Sequence, residues 1–337
     1  MLEHATDDVT TLIVGGGIAG CNLAFALSKQ RTGVVLLEQG RIGRQGASTL
    51  PIALLNPHRG RSAQARPLDR AGLQAFWQVN AELVGEGLET GAHRSGVLRI
   101  APNARRARAW RSLVAEEQET GASWLEPEQV TEPYHAPHGA LLIRRGGWVE
   151  PETLLRALTT AAERRGARIL EEHRLLNLER RAAGFRVTTS RGELEAERVI
   201  LCTGADPNPQ LPLPPLPRAA GEVVALKTPL SLALPVAGAV YGTQRRGGTF
   251  YIGGNHRNPE QEDPEAPTKL QASMSWFLPE LKNAERTSVW TGVRAGQAGQ
   301  TPLTTELQPG LWFFGALAGR GFLCSALLSR QLSQRLC

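Results

Sequence analysis

The sequence predicts an α/β protein in which a parallel-sheet domain is interleaved with a second, α+β domain built on an antiparallel sheet. Three observations predict it. Residues 10–38 hold a strand, a glycine turn, a helix, a second strand and an acid in succession; helix-and-strand units of the same kind return at 148–217 and after 294; short strands separated by turn residues fill the intervals. The 337 residues exceed one ordinary domain and suffice for two cores.

The stretch TTLIVGGGIAGCNLAFALSKQRTGVVLLE carries the chemistry of a nucleotide site. Thr11 to Val14 reads as a strand, and Gly15, Gly17 and Gly20 then take GxGxxG spacing at the opening of an apolar helix. Gly15 permits the tight turn, Gly17 lets backbone approach a pyrophosphate, and Gly20 lets the helix lie close on the sheet. Ile18 and Ala19 then present helix N-terminal N–H groups to the phosphates. Val34 to Leu37 is the second strand. Glu38 at its end is placed to accept both ribose hydroxyls of an adenosine, with Gln39 beside it, and argues against a 2′-phosphate. The motif leaves FAD and NAD both open.

The segment 41–60, RIGRQGASTLPIALLNPHRG, is long, small-residued and without helical period, as functional loops are. Ala47 and Ser48 are candidates for the pyrophosphate, and Ile52 to Leu55 for backbone beside a flat ring. Helices are expected at 67–88 and 103–120, strands at 96–101 and 140–144, and a short helical turn over WLEPEQ between them. A helix over 150–165, stopped by Gly166, returns the chain to the first domain. Strands follow at 168–171, 175–179, 185–189, 194–197 and 198–203, the last ending in Thr203 and Gly204, small residues at a cofactor edge. The proline-rich 208–218 is a linker. Strands at 222–227, 239–242 and 249–254, a helix at 268–277 and a strand at 288–294 complete the second domain. The boundaries are therefore 1–66, 148–217 and 294–337 for the first domain, and 67–147 and 218–293 for the second. At the end come a strand, 311–314, a glycine-rich turn, 315–321, and a helix, 322–336. A second helix N-terminus at the cofactor edge opposes negative charge on a reduced flavin, a feature that NAD chemistry does not need.

Composition excludes several classes. The apolar run 12–27 is broken by glycines and preceded by Glu3, Asp7 and Asp8, so neither a targeting segment nor a membrane span is expected. The four cysteines have no CxxC pairing and the seven histidines no ligand spacing, so neither a disulfide frame nor a metal site is expected, and a cytoplasmic location is. The formal net charge is +6, and nearly all the basic residues are arginine, scattered along the chain. That charge is compatible with a nucleic-acid partner without specifying one.

The split layout and the closing glycine turn with its helix resemble the FAD-dependent D-amino-acid oxidase and glycine oxidase superfamily over nearly the whole chain. Within it, GGWVEPETLLRAL, TGVRAGQ and LWFFGALAGRGFLCSALLSRQL are most similar to the flavin-dependent domain of bifunctional tRNA wobble-uridine modification enzymes. The resemblance implies a Rossmann-like FAD-binding domain with an antiparallel-sheet substrate domain, and substrates sharing N–CH2–COO−: tRNA carboxymethylaminomethyluridine foremost, glycine or sarcosine otherwise. It implies that Arg294 of TGVR binds the substrate carboxylate and that Leu175 offers backbone to the adenine. Gly319, Arg320, Gly321 and Phe322 would surround the flavin pyrimidine edge, with Arg320 and His256 of GGNH as minor pocket candidates. Hydride transfer to flavin N5 and hydrolysis of the imine would follow. The methyltransferase domain of those enzymes has no counterpart in these residues, so a separate methyltransferase is an expected partner. TPLTTEL and STLPIALLNPH depart from the family pattern, and Cys324 lies within the last helix, where a covalent flavin link is not expected. The competing classes are a noncatalytic flavin-binding module and, third, an NAD-dependent dehydrogenase.

Overall fold

The structure, a computed structural model, describes residues 9–114, 120–206, 211–245, 247–296 and 301–336. His4, Cys337, most of the end of the helix expected at 103–120 and the first prolines of the linker lie outside the described residues.

Five parallel strands form the centre of the first sheet, in the order Leu311–Gly315, Gly192–Leu201, Val9–Val14, Val34–Leu37, Arg168–Leu170. Val34–Leu37 is buried at every position, the burial required of a strand covered on both faces. The helices Ile18–Ser28, Pro151–Glu163 and Gly321–Leu336 cover one face through Leu23, Phe25, Leu154, Leu158, Leu323 and Leu332. On the other face Leu12, Val14, Phe185, Val187 and Phe313 form a separate cluster. Buried Asn22 ties the first helix to the last, donating to Ser325 Oγ at 2.9 Å.

Gly192–Leu201 belongs to two pairings. Its first half runs antiparallel to Gly184–Thr189, and its second half joins the parallel sheet. The expected break at 197 is absent because no glycine or proline interrupts the run after Gly192.

The second sheet has eight strands in the order Glu285–Ala295, Arg218–Lys227, Thr249–Gly253, Tyr241–Arg245, Val236–Ala237, Val97–Ile100, Ala140–Ile143, Ala122–Leu125. All neighbours are antiparallel except Val236–Ala237 against Val97–Ile100. The strand expected at 239–242 begins only at Tyr241, since Gly238 N–H closes a tight turn on Val240 O at 2.8 Å. WLEPEQ is half strand: Ala122–Leu125 forms the sheet edge, and only Pro127–Gln129 makes a helical turn, boxed by Glu126 and Gln129. TPLTTEL holds a strand, Leu303–Gln308, that hairpins onto Leu311–Gly315. The loop after Glu38 contributes Ala53–Leu55 to a three-stranded sheet with Gly147–Val149 and Ala92–His93. Among the described residues no helix is long and apolar enough to cross a membrane.

Candidate active site

Val14, Leu37, Cys202 and Phe314, at the carboxyl ends of four parallel strands, open on one cavity of about 1190 Å³, and the second sheet closes it with Tyr241 and residues 290–295. Ligands bind at this edge of open parallel sheets. The volume exceeds the roughly 300–1,000 Å³ of a pocket for one small molecule, so a dinucleotide and a substrate fit together.

The nucleotide end is built by the glycine turn. Gly15 has φ +111°, and a Cβ there would stand 2.5 Å from Cys202 O, so only glycine makes the turn. Gly20 does not line the cavity. Its Cβ would fall 1.9 Å from Gly15 O, so its service is close packing of the helix on the turn. Gly17 is the N-cap of Ile18–Ser28 and has no side chain to cap it; the Ile18 N–H is met by Ser48 Oγ at 3.0 Å. Ser48 therefore holds the place where a phosphate would receive helix N–H groups, and its hydroxyl keeps a proton to donate. Glu38 accepts from Gly16 N at 2.7 Å and Gly40 N at 3.0 Å, which fixes the carboxylate at the strand end. Ile18, Ala19, Gln39, Ala47, Leu175, Thr203, Gly204, Gly319, Gly321 and Phe322 all line the same cavity. Thr203 Oγ1 is buried there without a hydrogen-bond partner, a hydroxyl that a polar ligand would satisfy. These residues fit FAD: the glycine turn, Ser48 and the helix N-terminus would hold the pyrophosphate, Glu38 the ribose, and Gly319 to Phe322 the flavin edge.

At the other end Arg294 lies next to last in Glu285–Ala295, opposite Ala219. Its Nη2 is 2.5 Å from where a Cβ on Gly221 would be, so that glycine makes room for the guanidinium. Arg294 Nε is buried and has no partner. His256 lines the cavity too, and burial, then Arg294, then Arg59 push its imidazole below the ordinary value. Arg320 corrects the expectation for a pocket residue. Its side chain turns from the cavity and forms a buried ion pair with Asp69 at 3.0 Å, anchoring the last helix to Pro67–Gly85. Next to that pair, burial pushes the Cys324 thiol up to about 12, which leaves no thiolate at neutral pH.

Arg59 was not legible as a site residue. It follows the apolar loop as a lone arginine in NPHRG, a pattern that fits a surface turn equally well. In the fold it lines the cavity, and its Nη1 is buried and unpartnered.

A cavity at the strand ends with a glycine turn, a carboxylate fixed at a strand end and a buried guanidinium nitrogen without a partner is the arrangement of a dinucleotide site. The profile of the FAD dependent oxidoreductase family (DAO) matches residues 10–335, and the chain belongs to that family. It is 28% identical to glycine oxidase of Bacillus licheniformis over 201 residues, 58% of this chain and 53% of that protein. It is 27% identical to the tRNA 5-methylaminomethyl-2-thiouridine biosynthesis bifunctional protein MnmC of Maricaulis maris over 336 residues, 98% of this chain and 52% of that protein. The chain thus spans about half the length of the first curated relatives it matches. In fold it is similar to glycine oxidase from Geobacillus kaustophilus, with TM-score 0.82, 23% identity and coverage of 96% of this chain and 94% of that one. Iminodiacetate oxidase from Chelativorans sp. BNC1 gives TM-score 0.84 at 18% identity, with 97% and 95% covered.

Proposed function

We propose that this chain oxidises the C–N bond of a carboxymethylamine, N–CH2–COO−, and that the amine belongs to the carboxymethylaminomethyl group of a tRNA wobble uridine. The observation that carries the reading is Arg294, a guanidinium with a buried, unpartnered Nε inside the cavity of the nucleotide cradle. A desolvated cation without a partner is costly, and a planar guanidinium is matched by a carboxylate. FAD, when bound, accepts the hydride that leaves the carbon between nitrogen and carboxylate. The side chains do the rest: Arg294 holds the carboxylate, and Leu54, Tyr241 and Trp290 wall the cavity against water and favour the neutral amine. Loss of hydride leaves an imine, and water splits it into glyoxylate and the shortened amine. In this reading a separate methyltransferase would act on that amine next.

Support for tRNA as the carrier comes from relatives of the MnmC kind, four of which align over 96–98% of this chain. The net charge of +6 adds attraction for phosphate. The test is anaerobic mixing of the yellow protein with tRNA bearing carboxymethylaminomethyluridine, with glycine and with sarcosine, following flavin bleaching and glyoxylate. Bleaching by the tRNA supports the proposal. Bleaching by glycine or sarcosine alone replaces it with a free amino-acid oxidase, and no bleaching at all leaves a noncatalytic flavin module.

A further inference from the structure

We propose that Arg59 and Arg294 close on one substrate carboxylate from two sides, one guanidinium to each oxygen. The proposal rests on the reading that the site takes a carboxymethylamine, and it adds a second anion-binding residue from a different loop. Four observations carry it. Both side chains line the cavity and each has a buried nitrogen without a partner, Nη1 in Arg59 and Nε in Arg294. Both point at the same glycine: a Cβ on Gly319 would lie 2.7 Å from Arg59 Nη2 and 3.7 Å from Arg294 Nη1. That spacing suits one carboxylate, whereas two separate anions held so close would repel each other.

The third observation is that the loop around Arg59 is locked. Buried Arg99 donates to His58 O and to Gly60 O, the carbonyls on either side of it. The His58 ring is itself fixed between Ala63 O and Thr120 Oγ1, each at 2.7 Å, and the His58 N–H is taken by Asn56 Oδ1 at 2.9 Å. A residue held this way is preorganised, and a preorganised guanidinium loses little entropy on gripping an anion. The fourth is charge. Asp69 is engaged by Arg320, and among the described residues neither Arg59 nor Arg294 has an ion-pair partner. Burial and the neighbouring Arg320 and Arg294 push the Arg59 guanidinium below its ordinary value, which an incoming carboxylate would reverse. The consequence is selectivity: an amide or ester in place of the carboxylate leaves two buried cations facing each other unpaired.

The experiment uses the FAD-loaded protein and methoxyacetate, which has the shape of sarcosine with no amine to oxidise, against neutral methoxyacetamide. Dissociation constants come from the flavin absorbance change and from calorimetry. The wild type should prefer the carboxylate. Arg59→Met and Arg294→Ala should each weaken methoxyacetate binding by roughly tenfold to a hundredfold, the range for a lost hydrogen bond to a charged group, and leave methoxyacetamide unchanged. The double variant should lose less than the product of the two single losses, because both partners share one anion. If Arg294→Ala loses binding while Arg59→Met and Arg59→Gln bind as the wild type, the clamp is wrong and the carboxymethylamine reading stands. If Arg294→Ala also binds normally, that reading fails. If the Arg59 variants release FAD while keeping the preference for carboxylate, Arg59 serves the cofactor and the clamp is overturned. Arg59→Gln keeps a polar, hydrogen-bonding side chain without the charge, and it decides the matter should Arg59→Met not fold.

Discussion

Arg59 and Arg294, from two different sheets' connecting segments and edges, converge on the space a side chain at Gly319 would fill, with Nη2 of the first 2.7 Å and Nη1 of the second 3.7 Å from that position. The absence of a Cβ at 319 therefore leaves room for the two guanidinium tips at this end of the cavity. Its φ of −85° is one that alanine also adopts, so a Gly319→Ala chain folds without backbone strain. The added methyl displaces the Arg59 tip first, since that contact is the shorter. We expect KM for a carboxylate substrate to rise roughly threefold to tenfold, a modest share of one charge-assisted hydrogen bond, with FAD content unchanged. Steady-state kinetics beside the flavin-to-protein absorbance ratio checks this.

Arg294 should matter more. On the proposed reading its removal deletes the strand-borne partner of the carboxylate, and an interaction made in both ground state and transition state appears mostly in KM. Arg294→Ala is expected to raise KM by about tenfold or more, with a smaller fall in kcat from lost alignment. Lysine should recover only part, because a point charge cannot reproduce the planar fork. A glyoxylate assay across substrate concentrations measures the split, and an unchanged KM would remove Arg294 from the site.

Ser48 couples the nucleotide end to fold stability. Its Oγ takes the Ile18 N–H at 3.0 Å in place of the side-chain cap that Gly17 lacks. Ser48→Ala should cost the apoprotein about 1 kcal/mol, the usual worth of such a cap. FAD binding should weaken as well if the pyrophosphate takes the helix N-terminus beside Ser48, since a hydroxyl is then lost there. Denaturant melts of apoprotein and holoprotein separate the two effects, and a holoprotein loss no greater than the apoprotein loss would confine Ser48 to capping.

Asp69 and Arg320 make a buried ion pair, with side chains 3% and 9% exposed. Breaking such a pair from one side strands a charge, and Asp69→Ala should destabilise by about 3–5 kcal/mol. The double variant Asp69→Leu with Arg320→Met should recover most of that, since replacing both partners by apolar groups removes the stranded charge. Equal melting temperatures for the single and double variants would refute it. Because Arg320 faces Asp69, the double variant should keep its preference for a carboxylate ligand.

Why some of this was readable in the sequence and some was not follows from range. Gly15, Gly17, Gly20, Glu38 and the strands around them lie within thirty residues, and their roles are set by local turn geometry and by a helix that follows at once. Arg59 meets Arg294 only after two sheets have assembled, and no periodicity in NPHRG reports that. Arg320 misled for the converse reason. Its place between Gly319 and Gly321 marks backbone that lines the cavity, whereas the direction of its side chain is decided by Asp69, at the start of a helix 251 residues earlier. The strand at 303–308 is hidden because among the described residues it pairs with the strand that follows it alone, and its Thr-rich face is not buried enough to give a clean alternation.

His256 supplies a pH test of the charge arrangement. Burial, Arg294 and Arg59 push its imidazole below the ordinary 6.5. Well above pH 6.5 the ring is neutral in both folded and unfolded chains and adds no slope to stability. As pH falls below 6.5 the unfolded chain takes up a proton that the folded chain refuses, so stability drops until the folded ring protonates as well. His256→Gln should remove that part of the acid loss and leave the melting temperature at pH 8 unchanged. Methoxyacetate, by answering the charges of Arg59 and Arg294, should raise the folded value and flatten the wild-type slope. Melts from pH 8 to pH 5, with and without the carboxylate, give the comparison; identical slopes for wild type and His256→Gln would show that the ring is not held below its ordinary value, and a wild-type slope unchanged by methoxyacetate would show that the two guanidiniums do not act on it.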